Sequence, residues 1–505
     1  MSNQAKLKEP SLLDALIPII LLVVFMGSAV FLYGEDSSFG PNQIALLLAM
    51  GVAALIGIKN GHGWKSIEAG IVKGISMALG ACMILFVVGS LIGTWMLSGT
   101  VPTLIYYGLS LLNPTFFYAA ASLICAVVAM SIGSSWTTAA TVGVALIGVA
   151  TGMEMSLPIT AGAVISGAYF GDKLSPLSET TNLAPAIAGT DLFEHIKYML
   201  WTTIPSFCIT LVIFLILGFT EDTTQVSDSI EKMQLTLVSQ FQLGWHLLIP
   251  LVVLLTMAVR KVPAFPAIAI GALLGALWAL LFQGNLISAF ASEITVSVPE
   301  IMHFLFKEVP NSMKHIMVAW SALFDGVNFE TGDANIDKLL SRGGMASMLN
   351  TVWLIICAMS FGAVLEKVGL LKAVVASFLT GATSAGDMIS RTILTCIGTN
   401  IVTADQYMSI VMPGRMYKEE FEKRGLDQLN LSRSLEDGGT LTSPLIPWNT
   451  CGAYMSGVLG VSVYDYFVYT FFNLINPVLA VIYAYMGIKI LRLTPPKIKV
   501  VEQGV

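Results

Sequence analysis

Apolar runs close to the roughly 20 residues that cross a bilayer recur from one end of the chain to the other. They cover about 11–33, 43–58 and 76–97, with a shorter run at 100–112 before Asn113-Pro114. A longer segment, 115–152, is interrupted by Ser131-Ile132-Gly133-Ser134-Ser135-Trp136-Thr137-Thr138. The next, 156–188, is interrupted by Gly171-Asp172-Lys173-Leu174-Ser175-Pro176-Leu177-Ser178-Glu179-Thr180-Thr181-Asn182, and a long helix at 190–218 follows. After a polar, acid-rich stretch, 219–240, the pattern starts again. Spans at 242–259 and 264–283 lead into a partly amphipathic connection, 284–344, and further spans at 346–366 and 368–383. A broken segment at 388–413 contains Gly398-Thr399-Asn400-Ile401-Val402-Thr403-Ala404-Asp405. A second polar tip, Glu436–Thr450, precedes a last helix at 463–491.

The interruptions place Gly, Pro, hydroxyls, amides and charge where hydrocarbon-facing chain is expected, which predicts broken helices. They also repeat. Ile132–Ala139 pairs with Ile397–Ala404 at four identical positions of eight, so that Asp405 falls opposite Ala140. Ser175-Pro176-Leu177 pairs with Ser443-Pro444-Leu445, Glu179 with Pro447, Gly189 with Gly460 and Tyr198 with Tyr469. This is the signature of a duplicated unit. The expected organisation is an N-terminal segment 1–10, a first repeat 11–218, a linker 219–240, a second repeat 241–491 and a tail 492–505.

Composition and charge sharpen that picture. Only 11% of the 505 residues are charged and 55% are hydrophobic, against about 25% charged in soluble domains, so the fold class is an all-α polytopic membrane protein. Lys6 and Lys8, the stretch 59–73, Arg260-Lys261, the loop 415–424 and the tail with Lys497 and Lys499 are basic, which places them and both termini in the cytoplasm. The base-poor loops 34–42 and 219–240 fall outside. An odd number of crossings per copy satisfies every loop, giving two inverted-topology repeats with broken or re-entrant helices and 12–14 membrane segments. The net charge of −6 adds little. The six cysteines are scattered with no Cys-x-x-Cys, and the five histidines lack metal-ligand spacing. No P-loop, dinucleotide fingerprint or nucleophile elbow is present, so neither an ATP-driven pump nor an enzyme is expected, and no cofactor and no nucleic-acid partner.

Candidate chemistry lies at the breaks. A helix broken inside hydrocarbon exposes backbone groups that must line a cavity or a bound solute, and neutral oxygens beside them suit a hard cation. Ser134, Ser135, Thr138, Thr399, Asn400 and Thr403 are therefore candidate ligands, with Ser178, Thr181, Asn182, Asn449 and Thr450 from the two tips. Acids inside a membrane segment are expensive and point to function. Asp172, Glu179 and Asp405 are the principal ones, and Asp437 is a further possibility. A carboxylate can hold Na⁺ or H⁺ but not readily both, and competition between them is the simplest exchange mechanism.

At the two tips, Gly171–Asn182 and Glu436-Asp437-Gly438-Gly439-Thr440 with Pro447-Trp448-Asn449-Thr450, the sequence resembles the NhaC family of bacterial Na⁺/H⁺ antiporters, within a wider ion-transporter superfamily. The resemblance implies an elevator-type, dimeric carrier in the lipid bilayer of the bacterial cytoplasmic membrane, with Na⁺ and H⁺ as transported ions. One branch of the family exchanges Na⁺-lactate for H⁺-malate. The alternative function is accordingly Na⁺- or H⁺-coupled exchange of a small carboxylate or an amino acid. If the repeats are inverted, single cysteine labels at Gln225 and Glu420 report opposite faces of the membrane, Gln225 outside. Labelling of both from one side excludes that topology.

Overall fold

The computed structural model describes residues 7–221, 226–293, 309–379 and 383–493. Lys6, Asp222, Gln225, Lys497 and Lys499 lie outside the described residues. Within them the chain is helical, and extended pairing is confined to one isolated bridge between Leu426 and Arg492. Among the described residues, eight helices are long and apolar enough to cross a membrane, or ten if two bent pairs each count as one span. This is fewer than the 12–14 segments expected: Leu157–Leu174, Ala385–Thr403 and Gln406–Lys423 beside the breaks are long enough but too polar, and Glu179–Ala188 and Thr450–Leu459, with 10 residues each, are too short. One bent pair also revises the last helix: Val463–Tyr469 and Phe471–Met486 meet at 53° instead of forming one rod. The connection 284–344 carries helices Gly284–Glu293, Asn311–Phe324 and Ala334–Leu340.

The helices form two groups. One is a frame of unbroken spans: Leu12–Tyr33, Pro41–Lys59, Trp64–Leu97, Ala264–Phe282 and Leu349–Lys367. Trp64–Leu97 runs through its centre, packed on Ala264–Phe282 and Leu349–Lys367. Glycines make that approach close: a Cβ on Gly74 would sit 2.4 Å from Ala363 Cβ, and one on Gly275 would sit 2.7 Å from the Trp95 ring. Trp95 donates its indole N–H to Gly271 O at 3.0 Å, which satisfies the polar edge of a fully buried ring.

The other group holds the breaks. Helices Phe117–Ile132 and Leu157–Leu174 share the most extensive helix contact in the molecule. Gly167 and Gly171, four residues apart on one face, lie against the backbone of Ser122 and Ala126, where lipid-embedded helices gain close packing from small residues. Helices Leu192–Thr220, Ala385–Thr403, Gln406–Lys423 and Phe471–Met486 close the group around a smaller apolar cluster that includes Ile389, Ile393, Ile410, Tyr417 and Phe421. Few large apolar side chains bury themselves in the outward faces of either group. Phe31, Leu32, Leu111 and Phe219 are among those left exposed, as a hydrocarbon-facing surface requires.

A Cβ on Gly167 would fall 1.9 Å from Ser122 O, a backbone atom that cannot swing away. Gly167→Val is expected to destabilise the protein by more than the ~1–3 kcal/mol of ordinary overpacking, read as a lower melting temperature and lower membrane yield. Gly27→Ala, with nothing within 4 Å, leaves both unchanged.

Candidate functional site

Each broken pair begins with the same backbone device. Helix Phe117–Ile132 ends at Gly133 with φ +75°, and Ser134 follows in extended conformation with its hydroxyl accepting from Thr137 N–H. Helix Ala385–Thr403 ends at Ala404 with φ +58°, and Asp405 follows, extended, its carboxylate accepting from Met408 N–H. The left-handed residue turns the chain and the next caps the new helix. Ala404 carries a Cβ in a conformation that glycine normally fills, a local strain of order 1–3 kcal/mol held by its surroundings. The second break of each pair is also capped, by Ser178 before Glu179–Ala188 and by Asn449 before Thr450–Leu459. Cap to cap, the separation is 44 residues in both (134 to 178, 405 to 449).

This geometry corrects the sequence register. Asp405 corresponds to Ser134, not to Ala140, and Glu179 to Thr450, not to Pro447. The Gly189/Gly460 and Tyr198/Tyr469 pairs keep the same offset of 271 (460 − 189, 469 − 198), and both glycines are left-handed C-caps. The matching Ile-Gly and Ser-Pro-Leu strings are small-residue coincidences six and three positions out of step.

Within each pair the two breaks touch. A Cβ on Gly133 would lie 2.6 Å from Leu177 Cβ and 2.9 Å from Ser178 N, and Thr450 N–H donates to Ala404 O at 2.9 Å. Side chains at corresponding positions cross-link them. Ser135 donates its backbone N–H (3.2 Å) and its hydroxyl (2.8 Å) to Asp172 Oδ2, while Ser443 donates its hydroxyl to Gln406 Oε1 at 3.2 Å. The first pair brings Asp172 and Glu179, and the second brings Asp405.

Both crossings open onto one cavity of about 670 Å³ between the broken group and the frame. Ser134, Ser135, Asp172, Ser178, Glu179 and Asn182 line it from the first pair, and Asp405 and Thr450 from the second. The opposite wall is Met77–Ile84 of the frame and the turn around Lys261. Asp172 is 7% exposed, and its Oδ1 has no hydrogen-bond partner. A buried carboxylate oxygen without a donor calls for a cation or a proton. Glu179 is exposed at the mouth, where Tyr407 donates its hydroxyl to it.

The other predicted residues hold the breaks together behind the cavity wall. Thr138 and Thr399 bond carbonyls one turn back in their own helices, Ser134 O and Thr395 O. Thr181 donates to the carbonyls of Asp172 and Lys173, and Thr403 to those of Thr399 and Asp405. Asn400 donates to Gly439 O and Thr442 Oγ1, and receives Asn449 Nδ2 at 3.1 Å. Asp437 is fully buried in an ion pair with Lys173 at 2.7 Å and not at the cavity. Sequence reasoning missed Gln406, Tyr407 and Cys451, which line the cavity beside Asp405, and Arg433, a second fully buried cation. For Gln406 and Tyr407 the signal was available in their position directly after a membrane-embedded acid. Arg433 was masked by the charged loop before it.

The family model described as the Na⁺/H⁺ antiporter family matches residues 167–488. The chain is 38% identical to the Na(+)/H(+) antiporter NhaC of Alkalihalophilus pseudofirmus, across 88% of this chain and 90% of that protein. It is also 38% identical, with the same two coverages, to the Malate-2H(+)/Na(+)-lactate antiporter of Bacillus subtilis. Identity to the Arginine/ornithine antiporter ArcD of Halobacterium salinarum is 34%, across 97% of this chain and 94% of that one.

Because Asn400 spans both breaks of its pair, Asn400→Leu takes its amide from Gly439 O and Thr442 Oγ1 and leaves the Asn449 amide only the backbone carbonyl of residue 400, at a cost of about 1–3 kcal/mol per unsatisfied buried group. A clear drop in melting temperature is expected. Thr399→Val, which loses only a bond within its own helix, leaves it nearly unchanged.

Proposed function

The chain belongs to the NhaC family of Na⁺/H⁺ antiporters, and from that membership we propose that it exchanges Na⁺ for H⁺ across the bacterial cytoplasmic membrane by alternating access. It is a transporter and not an enzyme. The observation that carries the exchange reading is the free Oδ1 of Asp172 at a cavity shared with Asp405. Dehydrated Na⁺ takes oxygen ligands, and Asp172, Ser134, Ser178, Asp405 and Thr450 supply carboxylate and hydroxyl oxygens there. Protonation of either acid removes the charge that holds the cation, so one site binds Na⁺ or H⁺ in turn and returns empty of neither.

The corresponding breaks support an inverted duplication of 11–218 and 241–491, joined by an external linker, with both termini cytoplasmic. The cavity lies on the seam between broken group and frame, which supports an elevator motion in which the broken group slides and the frame stays fixed. The family resemblance supports a homodimer. A second reading, coupled exchange of a small carboxylate or an amino acid, is favoured by the cavity's volume of about 670 Å³, large for a bare ion and within the range of small-molecule sites. Three acids against one lysine on its lining favour a cationic cargo and hence the first reading.

Proteoliposomes decide between them. Na⁺-driven proton flux without organic solute is expected. Flux only in the presence of lactate, malate or an amino acid selects the second reading. Asp172→Asn and Asp405→Asn keep side-chain size and cannot release a proton, so both are expected to eliminate Na⁺-driven flux at normal expression. Glu179→Gln, at the exposed mouth, raises the apparent KM for Na⁺ about 3–10-fold and retains turnover. Wild-type exchange in both Asp variants excludes competition at carboxylates.

A further inference from the structure

Behind the cavity lies a group of charges that the exchange reading does not use. Lys173 Nζ and Asp437 Oδ1 are 2.7 Å apart, and neither side chain is exposed to any degree. Arg433 Nε is 3.9 Å from the other Asp437 oxygen, its guanidinium 4.4 Å above the Tyr198 ring, and Thr202 Oγ1 donates to the same oxygen at 3.5 Å. Glu436 is fully buried beside them. Two basic and two acidic side chains thus lie together inside the broken group.

We propose that the Lys173–Asp437 pair positions the cation site: it fixes the end of helix Leu157–Leu174 so that the Asp172 carboxylate is held at the cavity lining, and it binds the two broken pairs into one moving body. The proposal rests on the Na⁺/H⁺ reading. Three anchors act on Asp172. Ser135 holds its Oδ2, and Thr181 holds the carbonyls of Asp172 and Lys173 at 3.3 and 3.1 Å. Both belong to the first pair. The third anchor, through the adjacent residue Lys173, reaches 264 positions along the chain to the second pair.

On that side Asp437 stands in a π-helical turn, Glu436–Thr440, where the wider turn sets its side chain apart from the regular helical direction. Thr442 and Gly439, at and just beyond that turn, receive the Asn400 amide, and Asn400 receives Asn449. A continuous chain of bonds therefore runs from Asp172 to the second break. An ion pair in low dielectric adds little net stability compared with apolar residues of equal volume, but it resists displacement steeply, since separating the charges leaves each uncompensated. That is the property a positioning device needs and a simple packing contact lacks.

The test separates positioning from stability. Lys173→Met with Asp437→Leu removes both charges of the pair and fills similar volume; it also takes Asp437 from Arg433, so the melting temperature is read beside the flux. Na⁺-driven proton flux is measured as a function of Na⁺ in proteoliposomes. The double variant is expected to raise the apparent KM for Na⁺ about tenfold while Vmax stays within about twofold, because the site loses its aim and not its ligands. Asp437→Glu, which keeps the charge but lengthens its arm, gives a smaller rise of about threefold. A wild-type KM in the double variant at wild-type melting temperature overturns the proposal. If that variant does not reach the membrane, Asp437→Glu decides by the same criterion, and an unchanged KM overturns it. Absence of flux in the wild-type chain is a different failure: it removes the Na⁺/H⁺ reading, and the proposal with it.

Discussion

A helix that stops inside a bilayer leaves up to four N–H or four C=O groups with no water to take them, at several kcal/mol each. Four such stops meet in this protein, and most of its architecture follows from the need to satisfy them. Each break is turned by a left-handed residue or capped by a side chain, and each lies against its partner: Gly133 against Leu177-Ser178, Ala404 O against Thr450 N–H. The glycines that let helices Phe117–Ile132 and Leu157–Leu174 approach so closely serve the same end, because the breaks meet only if the helices carrying them do.

The same device makes a site. Once the breaks satisfy each other, what remains is a small polar surface inside hydrocarbon whose geometry is fixed by backbone. An acid placed there costs less than elsewhere in the membrane, since caps and hydroxyls already surround it, and it stays short of donors. Asp172 has one oxygen held by Ser135 and one free, and Asp405 spends its carboxylate capping a helix while still lining the cavity. The frame needs no such chemistry. Its contribution is a wall of small and apolar residues, Met77 to Ile84, facing the polar surface across the cavity.

Charge and scaffold are therefore distributed differently. The backbone breaks correspond at 44-residue spacing, yet Asp172 corresponds to Ser443 and Asp405 to Ser134. The breaks that correspond solve the hydrogen-bonding problem, and the acids stand at positions that do not correspond. Relatives named for different cargoes are 34–38% identical to this chain over most of its length, so the fold by itself does not name a cargo.

The sequence alone determined that the chain is helical, lies in a membrane and is broken near 131–138, 171–182, 398–405 and 436–450, because burial of unpaired backbone is costly enough to show in any local window. It also singled out Asp172, Glu179, Asp405 and most of the hydroxyls now found at the cavity, since an acid in apolar chain is conspicuous by composition. What it could not decide was contact. Thr181, Asn400 and Asp437 have the same local character as the lining residues, and only the packing of distant helices turned them toward carbonyls, an amide and a buried lysine. The register of the two broken pairs was likewise hidden, because helix ends are defined by backbone angles and hydrogen bonds, which Gly, Ala, Ser and Asp can each support. Tertiary structure chose Ala404 for one turn and Gly133 for the other, and by that choice made Asp405 the cap of one new helix and Ser134 the cap of the other.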